Sequence, residues 1–214
     1  MRLAAARLLA DSSGIAATEF AVIVPVMLMM FFGTVELSSG VAVDRKVTLI
    51  SRTLSDLTSQ AAPTTAGVWY APVNDAYLQN VFTASIAILT PYVPTPATMQ
   101  LSEIYVDLNG VATIKWSKAA TIGSGATQAT LANSTRVAGD IVTGVVPSQL
   151  LVHQTYLIFS EVSYLYTPLG IGYVMKANVP LKDVAYSRLR QATCLVYNNL
   201  PALVGPSYDT CPAT

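Results

Sequence analysis

The chain has 214 residues, of which 52% are apolar and only 11% are charged, and its twelve basic and twelve acidic residues cancel. A disordered protein has the opposite composition, so intrinsic disorder is excluded. The neutral net charge argues against nucleic acid as a partner. A single histidine and two cysteines supply too few ligands for a His/Cys zinc site.

The first predicted element is an apolar segment near the N-terminus. The stretch FAVIVPVMLMMFFGTV, residues 20–35, contains no charge, and Ile15, Ala16 and Ala17 extend it upstream. About 20 apolar residues are enough for a helix to cross a bilayer. The sequence therefore predicts a transmembrane helix at residues 15–35, and the shorter apolar runs elsewhere predict one water-facing domain.

Three interpretations of this segment compete. A cleaved secretory signal requires a basic start and a small-x-small cleavage site; Gly40-Val41-Ala42 is a poor example, and Glu19 lies where a basic residue is expected. A plain transmembrane anchor fits the length but leaves Glu19 unexplained, because a carboxylate near hydrocarbon is costly. The third interpretation is a prepilin.

The residues around Glu19 support the prepilin interpretation. The stretch DSSGIAATEF, residues 11–20, resembles the G-x-x-x-x-E-[FY] processing site of type IV pilin-like proteins, and the apolar helix follows it directly. The resemblance implies a leader, residues 1–14, which a membrane prepilin peptidase removes by cutting between Gly14 and Ile15. Glu19 and Phe20 then become the fifth and sixth residues of the mature chain.

Glu19 has a physical role in this interpretation. When such helices pack together outside the bilayer, each buried carboxylate needs a cation, and the new α-amino group of a neighbouring chain supplies one. Glu19 would then set the axial register between chains. The alternative is a carboxylate that merely extends to the level of the lipid headgroups.

The flanking charges do not orient the segment, because two arginines precede it and three basic residues follow it closely. The two cysteines favour an extracytoplasmic head. A disulfide between Cys194 and Cys211 would close the tail CLVYNNLPALVGPSYDTC, which has no obvious core pattern, and would stabilise it by roughly 3 kcal/mol. Such a bond needs an oxidising compartment; two free buried thiols are the alternative.

Residues 36–60 are predicted to continue the helix as an amphipathic segment. Apolar residues recur there at spacings of three and four, while polar residues, including Ser51 and Ser55, are assigned to the other faces. One helix from Ile15 to Gln60 would be about 69 Å long; a kink at Pro25 and a loosening at Gly33 and Gly40 are the alternatives to an undisturbed helix. The apolar stripe comprises Val43, Val47, Ile50, Leu54 and Leu57.

Residues 61–214 are predicted to form an extracytoplasmic α+β head with the C-terminal disulfide loop. A second helix starts near the N-cap Asn74 and ends at a cluster of three prolines, residues 91–96. About four antiparallel strands follow, and Asn109-Gly110 predicts a tight hairpin because both turn positions need positive φ. Residues 119–136, rich in Gly, Ser, Thr and Ala, predict a mobile loop. The predicted strands are residues 101–108, 111–116, 156–166 and 181–190.

Four stretches, in this order along the chain, resemble the TadE/TadG-like proteins. They are the N-terminal site with its apolar helix, NGVATIKWS (109–117), EVSYLYTPL (161–169) and YSRLR (186–190). The resemblance implies a type IV pilin-like fold and a pseudopilin or minor pilin of the tight-adherence (Tad, or Flp) pilus. The chain departs from the family where Leu189-Arg190 replaces a frequent Pro-Arg pair.

The same resemblance implies partners and a location. The partners are the prepilin peptidase, other pilins or pilin-like proteins, the Tad inner-membrane assembly machinery and the lipid bilayer. The expected location is the bacterial inner membrane, with a cytoplasmic N-terminus and an extracytoplasmic head. Incorporation into the extracellular pilus is a further alternative. A tyrosine-rich set is a candidate subunit contact or a cover of the sheet: Tyr156, Tyr164, Tyr166 and Tyr173.

Catalytic and metal-binding motifs are absent from the sequence. It has no G-x-S-x-G, H-E-x-x-H or P-loop, so no enzyme activity, catalytic residue, metal or cofactor is predicted. Glu103, Asp107 and Glu161 are expected to be solvated carboxylates on the sheet. Two alternatives stay open: a single-pass anchored binding or enzyme domain unrelated to pili, which needs a polar pocket, and a secreted protein cleaved near Ala42.

Overall fold

The computed structural model describes residues 13–95, 97–168 and 178–197. Its longest element is helix α1, Ser13–Ser59, which is continuous over 47 residues and contains Pro25. The predicted single helix is therefore confirmed. The other elements are β1 (Tyr70–Val73), α2 (Asp75–Leu89), β2 (Ala97–Val106), β3 (Ala112–Thr121), β4 (Thr130–Ala132), a 3₁₀ turn (Ser148–Leu150), β5 (Thr155–Tyr166), β6 (Val179–Arg188) and β7 (Cys194–Tyr197).

Five of the strands form one antiparallel sheet in the order β4-β3-β2-β5-β6, and β1 pairs with β7 in a separate parallel sheet. The α+β prediction is confirmed, with one strand more than expected in the main sheet. The helices cover one face of this sheet, and the main hydrophobic core lies between the helices and the sheet. A second, smaller core on the opposite face lies under Val142, Val146 and Leu150.

The C-terminal part of α1 packs on β5 and β6. Val43, Val47, Ile50 and Leu54 are fully buried, as the stripe predicts, and Leu57 is partly buried. These residues come from the same helix as the apolar segment near the N-terminus. One helix therefore belongs both to the head and to the segment that precedes it.

The assignment of Ser51 and Ser55 to outward faces is wrong, because both side chains are fully buried against the sheet. Small side chains at these positions let the helix backbone come close to the strands. Ser160 Oγ donates to the Ser51 carbonyl at 2.5 Å, and Ser187 Oγ donates to Ser55 Oγ at 3.1 Å. The Ser51 hydroxyl itself donates to the Thr48 carbonyl at 2.9 Å, so these buried hydroxyls keep hydrogen-bond partners.

Helix α2 begins where the sequence predicts. Asn74 is its N-cap, and the side-chain oxygen accepts from the Tyr77 backbone N–H at 2.8 Å. At the other end, Lys46 Nζ of α1 donates to the carbonyls of Ile88 and Thr90, both at 2.6 Å. A cation is favourable at a helix C-terminus, so Lys46 joins the two helices.

The connection between β2 and β3 differs from the predicted two-residue turn. The last paired residues are Val106 and Ala112, so five residues separate the strands. Only Gly110 of the Asn109-Gly110 pair has positive φ, at 76°. The Asp107 carboxylate accepts from the backbone N–H of Asn109 and of Val111, both at 2.8 Å, and this local bonding favours the wider turn.

The region predicted as a mobile loop, residues 119–136, is largely attached to the fold. It contains the end of β3 and all of β4. Gln79 Nε2 of α2 donates to the Ala129 carbonyl at 3.1 Å. Arg136 makes a bidentate ion pair with Glu161 of β5, at 2.7 and 2.9 Å. Glu161 is therefore paired, where the sequence predicts a merely solvated carboxylate.

The close contact between α1 and the sheet gives a testable prediction. Ser51→Leu places a large side chain into a fully buried contact, and overpacking of this kind costs about 1–3 kcal/mol. Arg52→Leu, at the neighbouring exposed position, is the control and should change the free energy of unfolding by less than about 0.5 kcal/mol. Urea unfolding in detergent measures both. Equal effects of the two variants would contradict the packing described here.

Candidate functional site

The N-terminal half of α1, residues 14–42, projects from the head and contacts little of it. None of its most apolar 18-residue window is buried, and the mean hydropathy there is 2.2. The helix is long and apolar enough to cross a membrane. The exposed large apolar residues within 15–37 are Ile15, Phe20, Val22, Ile23, Val26, Met27, Leu28, Met29, Met30, Phe31, Phe32, Val35 and Leu37.

The length of this segment matches a bilayer. From Ile15 to Val35 the helix rises about 30 Å, which is the thickness of the hydrocarbon layer. Val43 is the first fully buried residue of α1, about 42 Å along the helix from Ile15. This distance also accommodates one layer of headgroups, so the head can begin where the membrane ends.

Hydroxyl groups within the segment are satisfied by the helix itself. Thr34 Oγ1 donates to the Met30 carbonyl at 2.8 Å, and Ser39 Oγ donates to the Val35 carbonyl at 2.9 Å. Internal bonds of this type lower the cost of placing a polar side chain in hydrocarbon. Thr34 and Ser39 are thus compatible with a membrane environment.

The residues of the predicted processing site lie at the start of α1. Gly14 and Ile15 occupy the first turn, where backbone N–H groups have no partner within the helix. Ile15 and Phe20 are 59% and 68% exposed, and Glu19 is also exposed. The structure thus places all four residues on one accessible helical segment.

The structure describes three of the four tyrosines in the predicted subunit contact. Tyr164 and Tyr166 belong to the core under the helices, and Tyr156 is buried beside Tyr105, with ring centroids 4.8 Å apart. Tyr173 lies outside the described residues. Tyr164 Oη donates to the Val93 carbonyl at 3.0 Å. Burial raises the pKa of the Tyr166 hydroxyl, and the negative charge of Glu36 raises it further.

The C-terminal tail enters the fold through β7, although its sequence shows no obvious core pattern. Cys194, Leu195 and Tyr197 are buried, and Tyr197 stacks on Trp116 with ring centroids 5.8 Å apart. Cys211 lies outside the described residues. The disulfide between Cys194 and Cys211 therefore stays a prediction.

Glu103 is a buried carboxyl that sequence reasoning missed. It is 1% exposed, and one oxygen accepts from the Leu195 backbone N–H at 2.6 Å, which ties β7 to β2. Burial raises the pKa of Glu103 to about 8, although the Leu195 hydrogen bond, Trp116 and the charge of Lys115 favour the ionised form. The expectation of a solvated carboxylate at position 103 is wrong.

The described surface has clefts between α1 and β6 and over the outer face of the sheet. Their acidic residues already have partners: Asp56 pairs with Arg190, Glu161 pairs with Arg136, and Asp183 accepts from the Val184 backbone N–H at 2.8 Å. Within residues 13–95, 97–168 and 178–197, no group of three or more His, Cys, Asp or Glu side chains is arranged to hold a metal ion.

Comparison with known proteins identifies one family. Residues 14–53 match the family described as TadE-like protein. No curated protein and no solved structure matches the chain significantly. The matched segment begins at Gly14, covers the exposed half of α1 and ends in the half that packs on the head.

The buried Glu103 gives a pH-dependent prediction. Its carboxyl has a pKa of about 8 when folded, against an ordinary value of 4.5. Between these values the folded protein keeps a proton that the unfolded chain has released, so the free energy of unfolding falls as pH rises, by up to ~1.4 kcal/mol per pH unit. Glu103→Gln removes the titration and keeps the acceptor for Leu195, so its unfolding should depend much less on pH across this interval.

Urea unfolding at pH 5, 6, 7 and 8 in detergent measures this difference. Glu161→Gln is the matched control, and it should retain the slope of the unmodified chain. The two proteins carrying glutamate and glutamine at position 103 should converge in stability near pH 5 and separate near pH 8. Parallel pH profiles would show that Glu103 is not a buried neutral carboxyl.

Proposed function

We propose that this chain is a pilin-like component, a pseudopilin or minor pilin, of the tight-adherence (Tad, or Flp) pilus system, acting in pilus assembly, adhesion or surface attachment. The observation that carries the proposal is the TadE-like match over residues 14–53. That match begins at the residue before the predicted cleavage point and includes both Glu19 and the apolar half of α1. The fold supports the proposal, since a long apolar helix enters an α+β head.

The proposed pathway begins with insertion in the inner membrane. Residues 1–14 are a cytoplasmic leader, residues 15–35 cross the bilayer, and the head from residue 61 onward lies outside the cytoplasm. A prepilin peptidase cuts between Gly14 and Ile15. Because these residues occupy the first turn of α1, local unwinding there breaks few helical hydrogen bonds and presents an extended peptide to the enzyme.

Cleavage creates the cation that Glu19 needs. The new α-amino group on Ile15 lies four residues before Glu19, and in a packed bundle the amino group of one chain can pair with the Glu19 carboxylate of the next. The exposed apolar side chains around Glu19 leave it few other polar neighbours. The pairing therefore favours one axial offset between chains over all others.

The rigid connection to the head transmits this offset. Helix α1 is continuous through Ser59, and its last turns are bonded to the sheet and to α2. Positioning the apolar half of α1 against other pilin-like helices therefore also positions the head. The head then presents its folded surface to the assembly machinery, to the fibre or to a target surface.

The proposal is tested by the N-terminal mass of the protein extracted from membranes. The unmodified chain should begin at Ile15 when the prepilin peptidase is present and should retain its leader when the peptidase is absent. Gly14→Leu should block cleavage, because a bulky residue replaces the one before the cut. Gly33→Leu is the matched control, since a Cβ at either glycine meets nothing within 4 Å in the folded chain.

Two results would overturn the proposal. One is an N-terminus that is the same with and without the peptidase. The other is an N-terminus near Val43, which would indicate a secretory signal. If Gly33→Leu blocked cleavage as fully as Gly14→Leu, helix perturbation would replace recognition of Gly14 as the explanation.

A further inference from the structure

The end of the head from which the exposed half of α1 emerges carries an apolar surface. Three side chains form this base surface: Val41, Val93 and Val179. They are 46%, 62% and 44% exposed, respectively. They come from α1, from the α2–β2 connection and from the start of β6. Exposed apolar side chains in such a group are typical of an interaction surface.

The packing of α1 fixes where this surface lies. A Cβ placed on Gly40 would lie 3.5 Å from the Tyr166 ring, at the C-terminal end of β5. Ser51, later in α1, contacts Ser160, which comes earlier in β5. Helix α1 therefore runs antiparallel to β5, and the C-terminal end of β5 is the end next to the apolar half of α1. The pairing of Tyr166 with Val179 brings the start of β6 to the same end.

Helix geometry places this end close to the hydrocarbon. Val35 is the last residue of the uncharged run, and Glu36 is the first charge after it. From Glu36 to Val41 the helix rises only about 8 Å. A headgroup layer is about 5–8 Å thick, being half the difference between the whole bilayer and its hydrocarbon core. Val41 is therefore at the depth of the headgroups, and the adjoining ends of β5 and β6 lie beside this part of α1.

A groove continues from the base surface toward the membrane. It has a volume of about 520 Å³ and lies between α1 and the adjoining ends of β5 and β6. Its lining begins at Gly33, within the predicted span, and includes the apolar side chains of Leu37, Val179 and Leu181. Such a groove opens toward acyl chains at one end and toward the head at the other.

We propose that the base surface and this groove rest on the lipid bilayer, so that the head lies directly on the membrane from which α1 emerges. This inference depends on the membrane anchoring in the proposed function and adds a second lipid contact to it. Among its described residues the groove is lined by the carboxylates of Glu36 and Asp44 and by no lysine or arginine. This described lining therefore contacts the bilayer by apolar burial and not by attraction to anionic headgroups.

Photochemical crosslinking tests the contact in the full-length protein. Benzoylphenylalanine is placed singly at Val93, Val179, Leu28 and Ile141, and the protein is reconstituted at low density in phosphatidylcholine vesicles. Leu28 lies in the middle of the predicted span, and Ile141 is 73% exposed on the loop that covers the other face of the sheet. After irradiation, mass spectrometry separates lipid adducts from protein adducts.

We expect lipid adducts at Val93 and Val179 in amounts comparable with those at Leu28 and several times those at Ile141. Adding phosphatidylglycerol should not raise them. Lipid adducts at Leu28 but not at Val93 or Val179 would overturn this inference and leave the anchor intact. Protein adducts at Val93 or Val179 would also overturn it, in favour of contact with a second copy. Absence of lipid adducts at Leu28 would contradict the membrane anchor itself.

Discussion

The rest of the structure depends on one constraint: a single helix has an exposed apolar half and a half that packs on the head. Residues 15–35 of α1 expose apolar side chains on every face, which is stable only in lipid or among similar helices. From Val43 onward the same helix buries one stripe and exposes polar residues elsewhere. Because no break in the helix separates these halves, the head is built around an element that also carries the apolar segment, and in our proposal the membrane fixes the direction of that element.

The contact between α1 and the sheet has the properties this constraint demands. Small hydroxyl side chains bring helix and strands close, and the Ser160 hydroxyl donates to the Ser51 carbonyl. Lys46 holds α2 to α1, and the Arg190 backbone N–H donates to the Ser59 carbonyl at 3.1 Å. A firmly held helix transmits both orientation and axial position to the head. In our proposal, that transmission makes a pilin-like protein useful to an assembling fibre.

Sequence patterns predicted those elements whose signals are local. Apolar spacing identified the stripe of α1, Asn74 marked the start of α2, and the predicted strands 156–166 and 181–190 lie within two residues of the ends of β5 and β6. The burial of Ser51 and the β1–β7 pairing were missed, because the first depends on how closely a distant strand approaches and the second joins segments more than 100 residues apart. The burial of Glu103 could have been predicted, because period-two alternation puts this residue on the inward face with Met99 and Leu101. The prediction of an exposed carboxylate considered only the polarity of the side chain. The cleavage point and the Cys194–Cys211 bond stay predictions.

In our account, α1 remains one continuous helix when its first half is in lipid. A distance measurement by electron spin resonance in vesicles, with spin labels at Val22 and Leu49, tests it most directly. Both positions are exposed, at 71% and 52%, and they lie roughly 40 Å apart along an unbroken helix. We predict a narrow distribution near that distance, shortened slightly by any bend at Pro25. A broad distribution, or one centred far below it, would show that the anchor and the head are joined by a hinge and would contradict the account.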